Sequence, residues 1–512
     1  MLGFITRRLS VLTVILFGST FLVYNLAAYS ANPLDELLLS TDPRKETIIA
    51  NVTRSLHLDI PPPIRYFMWL RGVLAGLVGR FDLGLTRDLA TVQSQIAQAI
   101  PTSFRLVVVA TFTAVIIGIA LGITTALRQY SKFDYSMTFV AFLLFSLPIF
   151  WVAVLLKEFL AIRFNNFLSS PSVPIGWLIW LSFIAAIFWA STMGGTRKRF
   201  WIVLGAAFFI NAVILELMNI SNWFLHPGFG PVLIALLSVG VAFAVTQIST
   251  GLANRSALKA ALSMSAVAVI GYYPLQYIFD NYSSYTLIVG LAIIAIGAGI
   301  AASYIFSRID RGPIARTASI TAIVCGLLIL IDRLMQTWAP YMATDAINSR
   351  PIPTIGQRND QLESPDFWIN NLDITTHIFL PTVALTLISI AGWIRFSRGA
   401  LLEVLNQDYI RTARSKGLTE RTVIMRHAFR NTMLPLSSLF VGEVAGLIGG
   451  AIITERVFGW YGMGTLFNKA LVTFDLNLLM GVLFVFSILG LLANLAADLL
   501  YAALDPRIRV SK

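Results

Sequence analysis

Residues 406–435 read NQDYIRTARSKGLTERTVIMRHAFRNTMLP, a polar, basic stretch between two apolar runs long enough to cross a bilayer. It sets Arg411, Arg414, Lys416, Arg421, Arg426 and Arg430 against Asp408 and Glu420. Its local signals predict two short helices with a tight break. Asp408 caps a helix over about 409–416, and Gly417 takes the left-handed position that ends it. Thr419 caps a second helix running to about Arg430, before Asn431 and Pro435 close the segment. A helix–glycine–helix elbow held at a membrane face by two spanning helices has the shape to dock into a partner's groove.

Outward from this stretch, composition sets the class. The chain is 57% hydrophobic and only 12% charged, with a mean hydropathy of +0.76. So little charge cannot cover a soluble protein of this length, which predicts an all-α polytopic membrane protein. The net charge of +12 is not a nucleic-acid footprint, because the basic residues gather in short loops between apolar runs, where they set orientation. Cys325 is the only cysteine and lies within an apolar run, which leaves no disulfide framework. His57, His226, His377 and His427 are dispersed without ligand spacing, so no metal site is expected. No phosphate-binding loop of the Gly-x-x-x-x-Gly-Lys-Ser/Thr type occurs. The chain is therefore read as non-enzymatic and without a bound cofactor; any ATP is handled by another chain.

The basic stretch resembles the cytoplasmic coupling loop of ABC-importer permeases, in the form used by dipeptide and oligopeptide importers. The matching positions are Asp408, Tyr409, Arg411, Thr412, Ala413, Arg414, Lys416, Gly417, Arg426, His427, Arg430, Asn431, Leu434 and Pro435. Arg411-Thr412-Ala413 stands where the general family pattern has Glu-Ala-Ala, which points to the peptide class. A second piece, Thr454 to Gly464, resembles the family's Glu-x-Val-Phe-x-Trp-Pro-Gly-Leu-Gly segment, with Tyr461 in place of the proline. The family reading of that piece is an external capping or re-entrant turn near the pathway mouth. It makes Phe458, Trp460, Gly462 and Gly464 candidate pathway or gate residues. The resemblance covers roughly 1–162 and 366–510.

Taken in order, Arg7 and Arg8 precede an uncharged run over about 9–31, read as a first span starting in the cytoplasm rather than as a signal peptide. Residues 32–103 form an external polar region. Within it, IRYFMWLRGVLAGLVGRF, interrupted by Arg65, Arg71 and Arg80, reads as an amphipathic helix lying in the interface. An amphipathic stretch ending at Pro101 leads into a span over about 104–126. The next span, about 136–160, carries Pro148 near its middle, where a proline kinks a helix; Pro148 is a candidate pathway residue.

Between 163 and 350 the sequence departs from the family, with about six further apolar runs, near 176–192, 201–219, 231–249, 260–279, 285–306 and 317–336. Thr196-Arg197-Lys198-Arg199, then Arg255 with Lys259, then Arg308, Arg311 and Arg316 mark alternate loops as cytoplasmic. The loops around His226 and around Asp280-Asn281-Tyr282 fall outside. Asp332 and Arg333 either pair with each other or sit at the interface. The insertion reads as a peripheral bundle between two core parts, 1–162 and 351–512, for about twelve spans with both termini cytoplasmic.

Family-like sequence resumes in the third part. A span over about 378–396 enters the cytoplasm at Arg395 and Arg398, the elbow follows, and another span covers about 436–454. The latter holds Gly442, Gly446, Gly449 and Gly450, which suit close helix approach. It also holds Glu443, read as the one buried carboxylate of this half and a candidate gate residue. A last span over about 478–500 precedes Asp505-Pro506-Arg507-Ile508-Arg509 inside.

The resemblance implies a permease subunit of a peptide importer in the cytoplasmic membrane. Its partners would be a second permease, two ATPase subunits carrying ATP and magnesium, an extracytoplasmic substrate-binding protein and the lipid bilayer, with no nucleic acid. The alternative is a stand-alone secondary transporter with twelve spans, which calls for intramembrane charges or interrupted helices in matching halves.

Overall fold

Helix follows apolar run almost without exception along this chain, because a backbone surrounded by hydrocarbon must satisfy its own hydrogen bonds. The computed structural model describes residues 2–504 except 31, 40, 194 and 308–309; the side chains of 2–5, 7–9, 36, 444–450 and 497–504 fall outside the description. Arg308 and the tail Asp505-Pro506-Arg507-Ile508-Arg509 therefore lie outside the described residues.

The principal helices are α1 (Leu2–Ser30), α2 (Pro62–Ala75), α3 (Val92–Leu127), α4 (Lys132–Ser146), α5 (Ile149–Leu156), α6 (Ile175–Met193), α7 (Arg197–Ile220), α8 (Gly230–Ser249), α9 (Arg255–Ile270), α10 (Tyr272–Asn281), α11 (Tyr285–Phe306), α12 (Arg311–Gln336), α13 (Phe367–Leu405), α14 (Asp408–Ser415), α15 (Phe429–Gly450), α16 (Ile452–Phe458), α17 (Met463–Val472) and α18 (Leu476–Leu504). Among the described residues nine helices are long and apolar enough to cross a membrane, or eleven if each of two bent pairs makes one span. The protein is an all-α polytopic membrane protein. Four of these helices start where short polar side chains offer an acceptor to an orphan amide. Ser131 accepts from Asp134 N–H, Thr196 from Arg199 N–H, Asn254 from Ala257 N–H and Ser284 from Leu287 N–H.

The chain packs as two compact units. The first takes the described residues up to Leu160, Thr354–Gln357, and those from His377 on; the second takes Ala161–Pro353 and Arg358–Thr376. In the first unit α3 is one helix through Pro101, so the expected stop at that proline is corrected. The residues just past it are tied down by tertiary bonds: Thr102 Oγ1 donates to Gln357 Oε1 (2.9 Å) and Ser103 Oγ to Glu455 Oε1. Close approach between helices comes from Gly118 and Gly122 of α3, not from Gly442. A Cβ on Gly118 would lie 2.3 Å from Trp393 Cβ and one on Gly122 1.9 Å from Ser397 Oγ, whereas nothing lies within 4 Å of Gly442. Gly446, Gly449 and Gly450 fall within 444–450, whose side-chain surroundings are outside the description. Toward the C-terminal end of α13, Arg398 grips Asp134 at the start of α4, with Nε–Oδ1 at 2.8 Å and Nη2–Oδ2 at 3.0 Å. Asp134 is buried, so losing either partner would strand a desolvated charge.

Pro148 does more than kink a span. Leu147, forced extended as a pre-proline residue (φ −82°, ψ 128°), and Pro148 itself (φ −63°, ψ 137°) put two non-helical residues in a row. The axis turns by 102° between Lys132–Ser146 and Ile149–Leu168, so the expected single span over 136–160 is a broken or re-entrant element. In the second unit, small residues let α8, α9 and α12 pack closely: Ser238, Ala242 and Thr246 on α8, Ala257 and Ala261 on α9, Thr317 and Thr321 on α12 are buried. Asp332 and Arg333 do not pair. Asp332 Oδ1 accepts from the N–H groups of Phe229 and Gly230 at the head of α8, and its Oδ2 from Tyr272 (2.6 Å) and Gln336 (2.8 Å). Arg333 instead pairs with Asp280 at 2.7 Å.

Candidate functional site: the basic elbow and the buried turn

The elbow consists of α14, Gly417, and a second arm that begins at Glu420. Gly417 sits at φ +74°, the left-handed conformation that glycine reaches without penalty. Asp408 is the first residue of α14 rather than its cap; Gln407 holds that place and makes no side-chain capping bond. Thr419 does cap, accepting from Thr422 N–H at 3.4 Å. The second arm does not stop near Arg430. It widens into a π-turn over Val423–Ala428 and runs on through Pro435 as α15. A proline inside a membrane-entering helix removes one bond that its neighbours make good, which is why Asn431 and Pro435 do not end it.

Two clips lock the arms together across the bend. Arg414 donates to Glu420 through Nε (3.1 Å) and Nη2 (2.6 Å), a two-pronged pairing that suits a guanidinium. Asn431 Nδ2 donates to Tyr409 Oη at 2.9 Å. Arg414 holds the Glu420 carboxyl below its ordinary value, mainly through that side-chain hydrogen bond. Beneath the clips Ile410, Ala413, Val423 and Ala428 form an apolar seam with Leu401 and Ala126. Ala413 thus faces inward, and its match to the family pattern reflects packing rather than a contact surface. Asp408, Arg411, Thr412, Lys416, Arg426 and Arg430 are exposed, and His427 is half-exposed. Leu418 and Met425 are exposed too. The sequence reading passed over that apolar pair because its signal was charge.

The second group of candidates closes around a residue that carried no assigned role. Glu455 of α16 is fully buried. Its carboxylate accepts from Ser103 Oγ and, at 2.9 Å, from Thr465 N–H. Ser103 Oγ in turn accepts from Met463 N–H at 2.8 Å. A Cβ on Gly462 would lie 2.4 Å from Glu455 Oε1, and one on Gly464 3.0 Å from Oε2 and 2.6 Å from Ile452 Cα. The two glycines are therefore there to let the carboxylate in. Burial pushes the Glu455 carboxyl up, against the Ser103 hydrogen bond. Phe458 and Trp460 are buried. Gly459 between them turns the chain at φ +65°, Phe458 O accepts from Gly356 N–H at 2.8 Å, and Lys157 donates to Val457 O. Thr354–Gln357 is thereby seated on this turn.

Glu443 is not the sole buried carboxylate of this half. It is half-exposed and accepts from Trp393 Nε1, whereas Asp373, Glu455 and Asp475 are deeply buried. Pro148 is exposed at its break. The sequence signal for Glu455 was available in Glu455-Arg456-Val457-Phe458: a carboxylate at the head of a Gly-rich turn.

Residues 294–510 match the family described as the binding-protein-dependent transport system inner membrane component. The match begins inside the segment assigned to the insertion and takes in the elbow and the buried turn. The chain is 44% identical over 144 residues to the oligopeptide transport system permease protein OppB of Mycobacterium bovis, covering 28% of this chain and 44% of that protein. It is 40% identical over 139 residues to the oligopeptide transport system permease protein AppB of Bacillus subtilis, 27% and 44% of the two chains. To the dipeptide transport system permease protein DppB of Escherichia coli it is 43% identical over 143 residues, 28% and 42%. The chain thus spans less than half the length of these relatives. The likeness of this membrane protein to the binding-protein-dependent transport system inner membrane component thus lies within residues 294–510.

Proposed function

We propose that this chain is a permease subunit of an ATP-driven ABC importer for dipeptides or oligopeptides, in the cytoplasmic membrane. It forms the translocation pathway with a second permease and receives its work from two ATPase subunits, which carry ATP and magnesium. An extracytoplasmic binding protein delivers peptide. The observation that carries this reading is the elbow itself: a basic, double-clipped bracket whose second arm is continuous with α15. A bracket clipped in two places moves as one body, so a push on α14 reaches α15 without being lost in bending. Such a push drives transport only if the ATPase engages the elbow with different free energies in its open and closed states. Exposed Arg411, Lys416, Arg426 and Arg430 supply the charge for docking, and Leu418 and Met425 the apolar contact.

Purification of the full complex from native membranes tests this. Arg411→Glu with Arg426→Glu, both outside the clips, is expected to lower the yield of copurifying ATPase at least about tenfold, since a desolvated interfacial charge is worth some 2 kcal/mol or more. Undiminished copurification refutes the docking role. Uptake by proteoliposomes that contain this chain alone, driven by an ion gradient, refutes the importer reading as a whole.

A further inference from the structure

On the first unit, at the end of α1 remote from Arg7 and Arg8, two adjoining cavities of about 200 and 300 Å³ share Tyr24, Leu56, Arg65 and Asn477. Helix α2 is fixed against α1 by a ring cluster of Tyr24, Tyr66 and Trp69 and by Tyr66 Oη at 3.0 Å from Thr20 Oγ1. That packing turns Arg65 toward the shared space. Its Nε is buried without a hydrogen-bond partner, and so is Trp69 Nε1 on the same wall. Of the other polar groups of the lining, Asn477 Nδ2 donates to Leu85 O, Asp82 Oδ1 accepts from Gly84 N–H and Ser30 Oγ donates to Leu26 O, and Tyr24, Ser55 and His57 complete the polar wall. Two buried donors, one of them cationic, thus stand on the wall of this space without a hydrogen-bond partner. Donors left so are costly, and an anionic oxygen is the group that satisfies both.

The rest of the lining says what carries that oxygen. Ala27 and Ala28 of α1, Ala470 and Leu471 of α17 and Leu479 of α18 make an apolar slot where the ends of α1 and α18 meet α17. Ile64, Phe67 and Met68 on the free face of α2, with Leu77 and Val78 just beyond it, are exposed, so α2 lies with an apolar side in the membrane boundary. We propose that this is a phospholipid site, with the lipid phosphate on Arg65 and Trp69 and an acyl chain in the slot between α1 and α18. Charge complementarity and continuity with the bilayer-facing side of α2 favour a lipid over a soluble anion or a peptide carboxylate.

Native mass spectrometry of the full chain in detergent, titrated with phosphatidylglycerol, tests it. One lipid is expected to stay bound, with affinity about tenfold lower in Arg65→Gln, the scale of a lost charge-assisted bond. Arg71→Gln, at an exposed position of the same helix, should bind as the unaltered protein does. Ala28→Phe, which fills the slot and leaves the guanidinium intact, should also release the lipid. Equal retention by Arg65→Gln and the unaltered chain overturns the proposal. So does displacement by millimolar inorganic phosphate, which makes it a soluble-anion site. Displacement by a free-carboxylate peptide but not by its amidated form overturns it as well, in favour of a peptide site.

Discussion

Gly417 and Gly462 are both glycines the sequence singled out, and they are required for opposite reasons. At Gly417 nothing lies within 4 Å of an added Cβ, so only the backbone at φ +74° penalises a side chain, by about 1–2 kcal/mol. Gly417→Val is expected to abolish peptide uptake while membrane insertion stays normal. Gly417→Asn, which tolerates that conformation, should retain most uptake; transport assays beside immunoblots of membranes separate the two. At Gly462 the penalty is steric, because the methyl of Gly462→Ala would meet Glu455 Oε1 at 2.4 Å. About 1–3 kcal/mol of destabilisation is expected in thermal unfolding, with partial relief when Glu455→Ala is added. Glu455 also links stability to pH. Its carboxyl is raised by burial above 4.5, so its contribution is complete below about pH 4.5 and fades as pH climbs through the raised value. Glu455→Gln should flatten that part of the melting-temperature profile between pH 4 and 8.

At the scale of the element, the elbow works because its two arms are joined by short-range clips. The Arg414–Glu420 pair is exposed at 42% and 56%, so screening limits it to roughly 0.2–1 kcal/mol. A double-mutant cycle on Arg414→Gln and Glu420→Gln, read by amide exchange in the elbow, should give a coupling of that size that shrinks in high salt. Because Glu420 is held below its ordinary value of 4.5, the coupling is complete above about pH 4.5 and lost as pH falls through the lowered value. A coupling that grows on acidification would contradict the clip. The prolines show where pattern reading stops at this scale. Pro101, Pro381 and Pro435 lie inside continuous helices, while Pro148 breaks its element by 102°. The same missing N–H is tolerated where the residues beyond it are held, as Thr102 and Ser103 are, and decisive where Leu147 goes extended.

For the whole molecule, alternating basic loops give an orientation that labelling can check. Cys325 is buried, so single cysteines introduced elsewhere report without background. A membrane-impermeant maleimide should label Ser283→Cys, beside Asp280-Asn281-Tyr282, in intact cells, and Ser256→Cys, beside Arg255, only after permeabilisation. The reverse pattern would invert the assigned topology of the second unit.

Helix class, most apolar runs and the bend at Gly417 were legible in residue order alone, because hydrocarbon forces apolar runs into helices and glycine alone takes φ > 0 freely; the runs expected as single spans over 136–160 and 260–279 are instead bent pairs, by 102° and 50°. Charge placement likewise marked the elbow as a distinct basic element. What residue order did not carry were the pairings between distant segments: Glu455 with Ser103, Asn431 with Tyr409, Gly118 against Trp393, Arg398 with Asp134. Those were decided by packing, since a buried polar group takes whichever partner the fold brings within reach, however far off along the chain.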